Sequence, residues 1–230
     1  MNRRHKNIDY TLKRSKRKTA SIQIERNGQV SLRVPMRMLI RDIETLIAEK
    51  EGWILRHLAQ RKKINLRKNE RYYLNGERFP YLGKSYVLKI VGDQSQPLLL
   101  KSGFFCLRTD HQSPAKAAAA FKAFYREKGL VQITERVAHF QVIMGVQANR
   151  IRMVETKTRW ASCSSKGNLN FHWKCLMLPK KVFDYIIVHE VAHLVHLNHS
   201  KRFWTQLEKI MGDYQEHREW LRLNGAEMEL

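Results

Sequence analysis

Cysteine is scarce in this chain. Cys106, Cys163 and Cys175 are odd in number and widely spaced, which suits reduced thiols in a cytosol better than a disulfide framework. Long apolar runs are missing too. No stretch approaches the roughly 20 residues needed to span a bilayer, and the segment from Met1 to Lys6 has no apolar stretch behind it, so a cytoplasmic protein without membrane contact is expected. Glycine-rich phosphate loops, C-x-x-C fingers, RNA-binding aromatic signatures, internal repeats and low-complexity segments are also absent. Acidic residues are few, 21 Asp and Glu against 43 Lys and Arg, for a formal charge of +22. Residues 1–71 alone carry 20 of those bases and only 7 of the acids, with blocks at Lys13 to Lys18 and from Arg61 through Lys68 to Arg71. Such blocks suit contact with nucleic acid, nucleotide or acidic protein, and equally suit a solvated face that keeps the protein soluble; charge alone identifies no partner.

What the sequence does have is a cluster of histidines. Residues 189 to 193 read His-Glu-Val-Ala-His, and His196 and His199 follow. On a helix His189 and His193 stand about 6 Å apart along the axis on one face, so both imidazoles can reach one cation. Zinc held by three protein ligands keeps a fourth position for water, whose pKa falls to about 7, and Glu190 is placed to take its proton. With 10 histidines in 230 residues, an accidental H-E-x-x-H with a further His at a fixed offset has odds of roughly 0.1%. Chance is a poor explanation.

The third ligand follows from geometry. His196 shares the helical face, but seven residues amount to about 10.5 Å along the axis, too far for one ion with Zn–N bonds of about 2.1 Å. Leu197 and Asn198 interrupt the apolar pattern, and Asn198 or Ser200 can cap a new helix beginning near Lys201. A turn there swings His199 back, which makes it the leading candidate ahead of His196.

Organisation along the chain is legible in outline. Alternation over Thr19 to Glu25 and Gln29 to Val34 around Asn27-Gly28 predicts a hairpin. Ile40, Ile43, Leu46, Ile47, Ile54, Leu55 and Leu58 predict one amphipathic helix over about 38–62. Short strands are expected over 72–91, around Asn75-Gly76 and Gly83, and a hairpin over 98–107 turning at Ser102-Gly103. Ser113-Pro114 opens a helix that Gly129 breaks or bends and Gly145 ends. Residues 151–163 and 169–178 read as a hairpin feeding the helix of His189, which starts after Pro179 and carries apolar faces that bury it. Asp213 and Glu216 suggest a capping box for a last helix. The division expected is 1–112, basic and strand-rich with one long helix, and 113–230, holding the histidines.

Several segments together resemble the YgjP-like metallopeptidase family, which is similar to the SprT and WLM zincins. They are Arg159 to Ser165, the strand from Leu169 to Trp173, Pro179, Asp184 to His193, and Asn198 to Trp204. The opening hairpin and the segment from Asn75 to Gly83 also look like that family, and Ala161 stands where it usually shows Gly. The resemblance implies zinc on His189, His193 and His199, Glu190 as general base, and an α+β fold: a zincin-like catalytic domain whose active-site helix packs beside a β-hairpin or sheet, preceded by a strand-rich region. It also implies that this hairpin lies along a cleft for an extended peptide, with Arg159, Trp160 and Asn170 as candidate cleft residues. Ordinary burial habits give each a blander role, sheet packing for Trp160, a surface ion pair for Arg159 and a structural amide for Asn170. Tyr185, one turn before His189, suits packing better than oxyanion stabilisation, and His139, His172 and His217 take no assigned role.

The leading expectation is a zinc-dependent hydrolase, most simply a metallopeptidase. One alternative keeps the metal and makes a nucleoside triphosphate the substrate of a pyrophosphohydrolase, although three imidazoles favour zinc where phosphate chemistry favours Mg²⁺ or Mn²⁺. Another makes the chain a nucleic-acid-associated protein whose basic front half binds DNA or RNA backbones.

Overall fold

The computed structural model describes residues 2–25, 28–66, 71–156, 159–225, 228 and 230. Two compact units divide the chain, Met1–Asn69 and Glu70–Leu230.

In the first unit, Ile8, Tyr10 and Leu12 alternate with polar residues and are buried, the period-2 pattern that makes a half-buried strand. Strands β1 (Asn2–His5), β2 (Ile8–Ser15), β3 (Ser21–Ile24) and β4 (Val30–Pro35) form a sheet of order β1-β2-β4-β3. The hairpin expected around Asn27-Gly28 is present as antiparallel β3 and β4; its turn residue Asn27 lies outside the described residues. Strands β1 and β2 were not expected, because β2 runs into the basic block 13–18 and charge obscured its alternation. The single helix expected over 38–62 is two, α1 (Ile40–Glu49) and α2 (Glu51–Leu66), since Lys50 leaves helical geometry at φ −101°, ψ 6°. Ile43, Ile47 and Ile54 are fully buried and join the apolar face of the sheet in one core. Arg67 and Lys68 of the basic block lie outside the described residues.

The second unit begins with β5 (Arg78–Tyr81), β6 (Lys84–Val91), β7 (Leu98–Lys101) and β8 (Phe104–Arg108), in the order β5-β6-β8-β7. The turns expected at Gly83 and Ser102-Gly103 are there, with positive φ at Leu82, Gly83, Ser102 and Gly103. A continuous helix, α3 (Pro114–Met144), follows, ending at Gly145 in the left-handed conformation. Gly129 does not interrupt it. A Cβ at Gly129 would lie 2.7 Å from Leu176 Cδ2 and 2.9 Å from Met153 Cε, so this glycine lets neighbouring side chains press against the helix backbone. Phe79 stacks on Phe121 at 4.1 Å, and Phe105 meets Phe121 at 5.1 Å. These rings tie the β5–β8 sheet to α3 in one core, which is why the compact units part at 69/70 and not at the 112/113 step expected.

Strand β9 (Arg150–Val154) comes next, then β10 (Ala161–Cys163) and β11 (Asn168–His172), in the order β10-β11-β9. The expected hairpin is β10 and β11, but it is shorter than expected. Residues 150–154 form their own strand, parallel to β11, and Trp173–Met177 is a 3-10 helix. Then come α4 (Lys180–Ala192), α5 (Lys201–Ile210) and α6 (Tyr214–Asn224). Ten of the thirteen residues of α4 are buried. Two contacts fix it: Arg136 on α3 grips Asp184 through a bidentate pair at 2.7 and 3.0 Å, and the Leu82 N–H donates to Leu176 O at 2.7 Å, bracing the segment that leads into it. The expected capping box at α6 is not formed. Asp213 occupies the N-cap position, but its carboxylate pairs with Lys181 at 3.2 Å and His217 at 3.1 Å. Among the described residues no helix is long and apolar enough to cross a membrane. The architecture is α+β, with a buried helix beside a three-stranded sheet.

Candidate metal centre

Helix α4 ends where its histidines do. The His193 N–H still reaches His189 O at 3.3 Å, but the next bonds, Leu194 to Val191 and Val195 to Ala192, span only three residues. This tightened turn releases the chain, which re-enters helix at Lys201 after Ser200 at the N-cap position. Ser200 makes no side-chain capping hydrogen bond to α5. The turn nevertheless carries His199 back over α4.

The result is a triangle of nitrogens. His199 Nε2 lies 3.0 Å from His189 Nε2 and 3.2 Å from His193 Nε2, and the three side chains form a group able to hold a metal ion. Ligands about 2.1 Å from one tetrahedral ion stand about 3.4 Å apart, close to the spacing observed. His193 Nδ1 donates to His196 O at 2.8 Å; a carbonyl only accepts, so the proton sits on Nδ1 and the Nε2 lone pair faces the triangle. His189 is pushed down to about pKa 3, chiefly by burial, then by His193 and His199, and His199 is also lowered by burial and by His193. Neutral rings with converging lone pairs fit a divalent ion, and an all-imidazole set suits zinc better than Mg²⁺. His196 contributes its carbonyl and not its ring, so the structure brings His199, not His196, to the other two.

Glu190 is 7% exposed, and its Oε2 has no hydrogen-bond partner among the described residues. Burial raises its pKa to about 8, against the charge of Arg159 and the backbone N–H of Cys163, which lower it. Cys163 belongs to β10, the sheet strand that packs against α4. A carboxyl with one free oxygen, on the turn that carries His189, is equipped to take up and release a proton near neutral pH.

The aromatic floor was not foreseen. Phe203, fully buried, sits with its ring centroid 5.0, 4.6 and 4.8 Å from those of His189, His193 and His199. Trp204 stacks on His199 at 5.5 Å, Tyr214 stacks on Trp204 at 5.5 Å, and Arg218 lies 4.9 Å over Trp204. Phe203 and Trp204 follow His199 by four and five residues across the start of α5, and that spacing was the available signal. Tyr185 is buried with its ring 5.9 Å from that of His189, a packing contact.

The three candidate cleft residues part company. Arg159 is exposed and close enough for its charge to act on Glu190. Trp160 packs on the core and against Gly225, while its carbonyl accepts from His172 N–H at 2.7 Å. Asn170 lies in the central strand β11, paired on both sides with Ser162 and Arg152. Neither Trp160 nor Asn170 has a hydrogen bond or ring contact with the three imidazoles among the described residues. The edge beside α4 is β10.

Comparison with known proteins adds a family. Residues 18–224 match the family described as YgjP-like, metallopeptidase domain. Among solved structures, the metallopeptidase zymogen abylysin of Pyrococcus abyssi is 28% identical with a TM-score of 0.36, over 40% of this chain and 94% of that one. The metallopeptidase zymogen jannalysin of Methanocaldococcus jannaschii is 21% identical with a TM-score of 0.35, over 38% of this chain and 90% of that one. No curated protein matches.

Proposed function

The chain belongs to the YgjP-like metallopeptidase family, and on that premise we propose that it is a zinc-dependent peptidase in which His189, His193 and His199 hold the metal and Glu190 handles protons. The observation that supports this most is the triangle of Nε2 atoms at 3.0 and 3.2 Å. An ion bound there supplies Lewis acidity for amide hydrolysis. Glu190 accepts a proton from the attacking water as it adds to the scissile carbonyl, then returns it to the leaving nitrogen. Burial makes the carboxylate a stronger base than one in water, and a dication held by the imidazoles would moderate that rise. The edge strand β10 suits an extended peptide paired by strand addition, with Arg159 beside it. Phosphate chemistry fits less well, because three imidazoles form a poor site for Mg²⁺.

Replacing Glu190 with Gln tests the reading. The variant should retain about one zinc per chain and lose roughly 10²- to 10⁴-fold in peptide hydrolysis. Full activity of zinc-loaded Glu190→Gln on unfolded proteins, or turnover of nucleoside triphosphates alone by the parent, would remove the assignment.

A further inference from the structure

Beside the metal centre lies a second concavity, of about 840 Å³, walled by the end of α3, the turn at His196 and one face of α5. Its basic groups are Lys201, Arg202, Lys209 and His196, and no carboxylate lines it. Lys201, Arg202 and Lys209 make no ion pair among the described residues, so their positive potential is uncompensated. The rest of the lining includes Ile143, which is 53% exposed, and Met144.

Helix α5 joins this concavity to the chemistry. Its Phe203 face supports the three imidazoles, while Arg202, Gln206 and Lys209, spaced four and three residues apart, face the concavity. His196, whose carbonyl fixes the His193 ring, forms part of the wall. A ligand seated here is therefore held at a set distance and direction from the centre by one rigid element.

We infer that this concavity is a specificity subsite for an acidic, partly apolar segment of the peptide substrate, an inference that rests on the peptidase reading above. Cations without counter-charges select Asp and Glu side chains, and the aliphatic wall takes a neighbouring Leu or Ile. Nucleic acid suits it less, because no Phe, Tyr or Trp lines the site for a base to stack on.

The test uses the full-length Glu190→Gln chain, zinc-loaded, and fluorescence anisotropy with two labelled peptides that differ only in Glu-Leu-Asp against Lys-Leu-Lys. The acidic peptide should bind about tenfold tighter or more, and Lys209→Glu should abolish or reverse that preference. Lys101→Glu, an equal charge change at an exposed strand end of the same unit, should leave it intact; Lys209→Met provides charge removal without reversal. Equal affinity for both peptides, or a preference that survives Lys209→Glu, overturns the subsite, as does Lys209-dependent displacement of the acidic peptide by a short oligonucleotide. Cleavage by the parent separates the two ideas. Hydrolysis of acidic and basic peptides with equal kcat/KM removes the subsite and keeps the peptidase, whereas hydrolysis of neither removes the reading on which it rests.

Discussion

At the scale of single residues, the centre gathers a buried carboxyl and a half-buried imidazole whose shifts oppose each other. Glu190 is raised from 4.5 to about 8 by burial, so the metal-free folded protein holds a proton that the unfolded chain releases between those values, and stability falls as pH rises through that window. His189 is lowered from 6.5 to about 3, again chiefly by burial, so the unfolded chain takes up a proton first and stability falls as pH drops below about 6.5. Metal-free Glu190→Gln should lose the first slope and keep the second. Urea unfolding of the two proteins from pH 5 to 9 should show the variant more stable at pH 9 by on the order of 1–3 kcal/mol; parallel curves would contradict the burial of that carboxyl. Sequence showed this scale best. The residue types and spacing of 189, 193 and 199 pointed to the three imidazoles that converge, the first two through local helix geometry and the third through the turn that Leu197 and Asn198 announce. Phe203, Trp204 and Arg218 escaped, since their contacts depend on how α5 and α6 cross α4, and residue type alone does not fix a crossing.

At the scale of elements, periodicity succeeded where one face is buried and failed where another influence intervened. The hairpins at 21–35 and 98–108 were legible from alternation around turn residues. Strand β2 was hidden by the charges on its exposed face, and the break at Lys50 has no Gly or Pro at the break itself, the nearest glycine, Gly52, lying inside α2. Gly129 misled in the opposite direction, since a glycine that breaks an isolated helix can equally serve close packing inside a protein. Gly129→Ala separates those roles. Alanine gains about 1 kcal/mol in helix propensity, but its methyl meets fully buried Leu176 at 2.7 Å, and crowding a packed core costs about 1–3 kcal/mol. The net result should be a lower Tm. A raised Tm would show that Leu176 and Met153 yield freely.

At the scale of the whole molecule, the two four-stranded sheets have the same connectivity. Each is a pair of antiparallel hairpins joined by a parallel central pair, β2 with β4 and β6 with β8. No repeat is visible in the sequence, because each copy fills its core with different side chains: Ile8, Leu32 and Val34 in the first, Phe79, Phe105 and Leu107 in the second. The boundary expected at 112/113 groups the two sheets together, whereas the compact units follow shared cores. Every residue of the candidate centre lies in Glu70–Leu230, which has its own core. A fragment of residues 70–230 should therefore fold and retain zinc, while salt-sensitive binding to a DNA duplex, if the basic residues of 1–69 support it, should be confined to the full chain. Circular dichroism with metal analysis checks the first, and anisotropy at 50 and 200 mM salt the second. A fragment that folds without zinc, or binds DNA as tightly as the full chain, contradicts this division.

The most direct measurement is zinc K-edge X-ray absorption on the zinc-loaded full-length protein. Three imidazole nitrogens and one oxygen at about 2.0–2.1 Å are expected, with one imidazole lost in His199→Ala and none in His196→Ala. A sulfur ligand, two imidazoles in the parent, or an unchanged shell in His199→Ala would contradict the account.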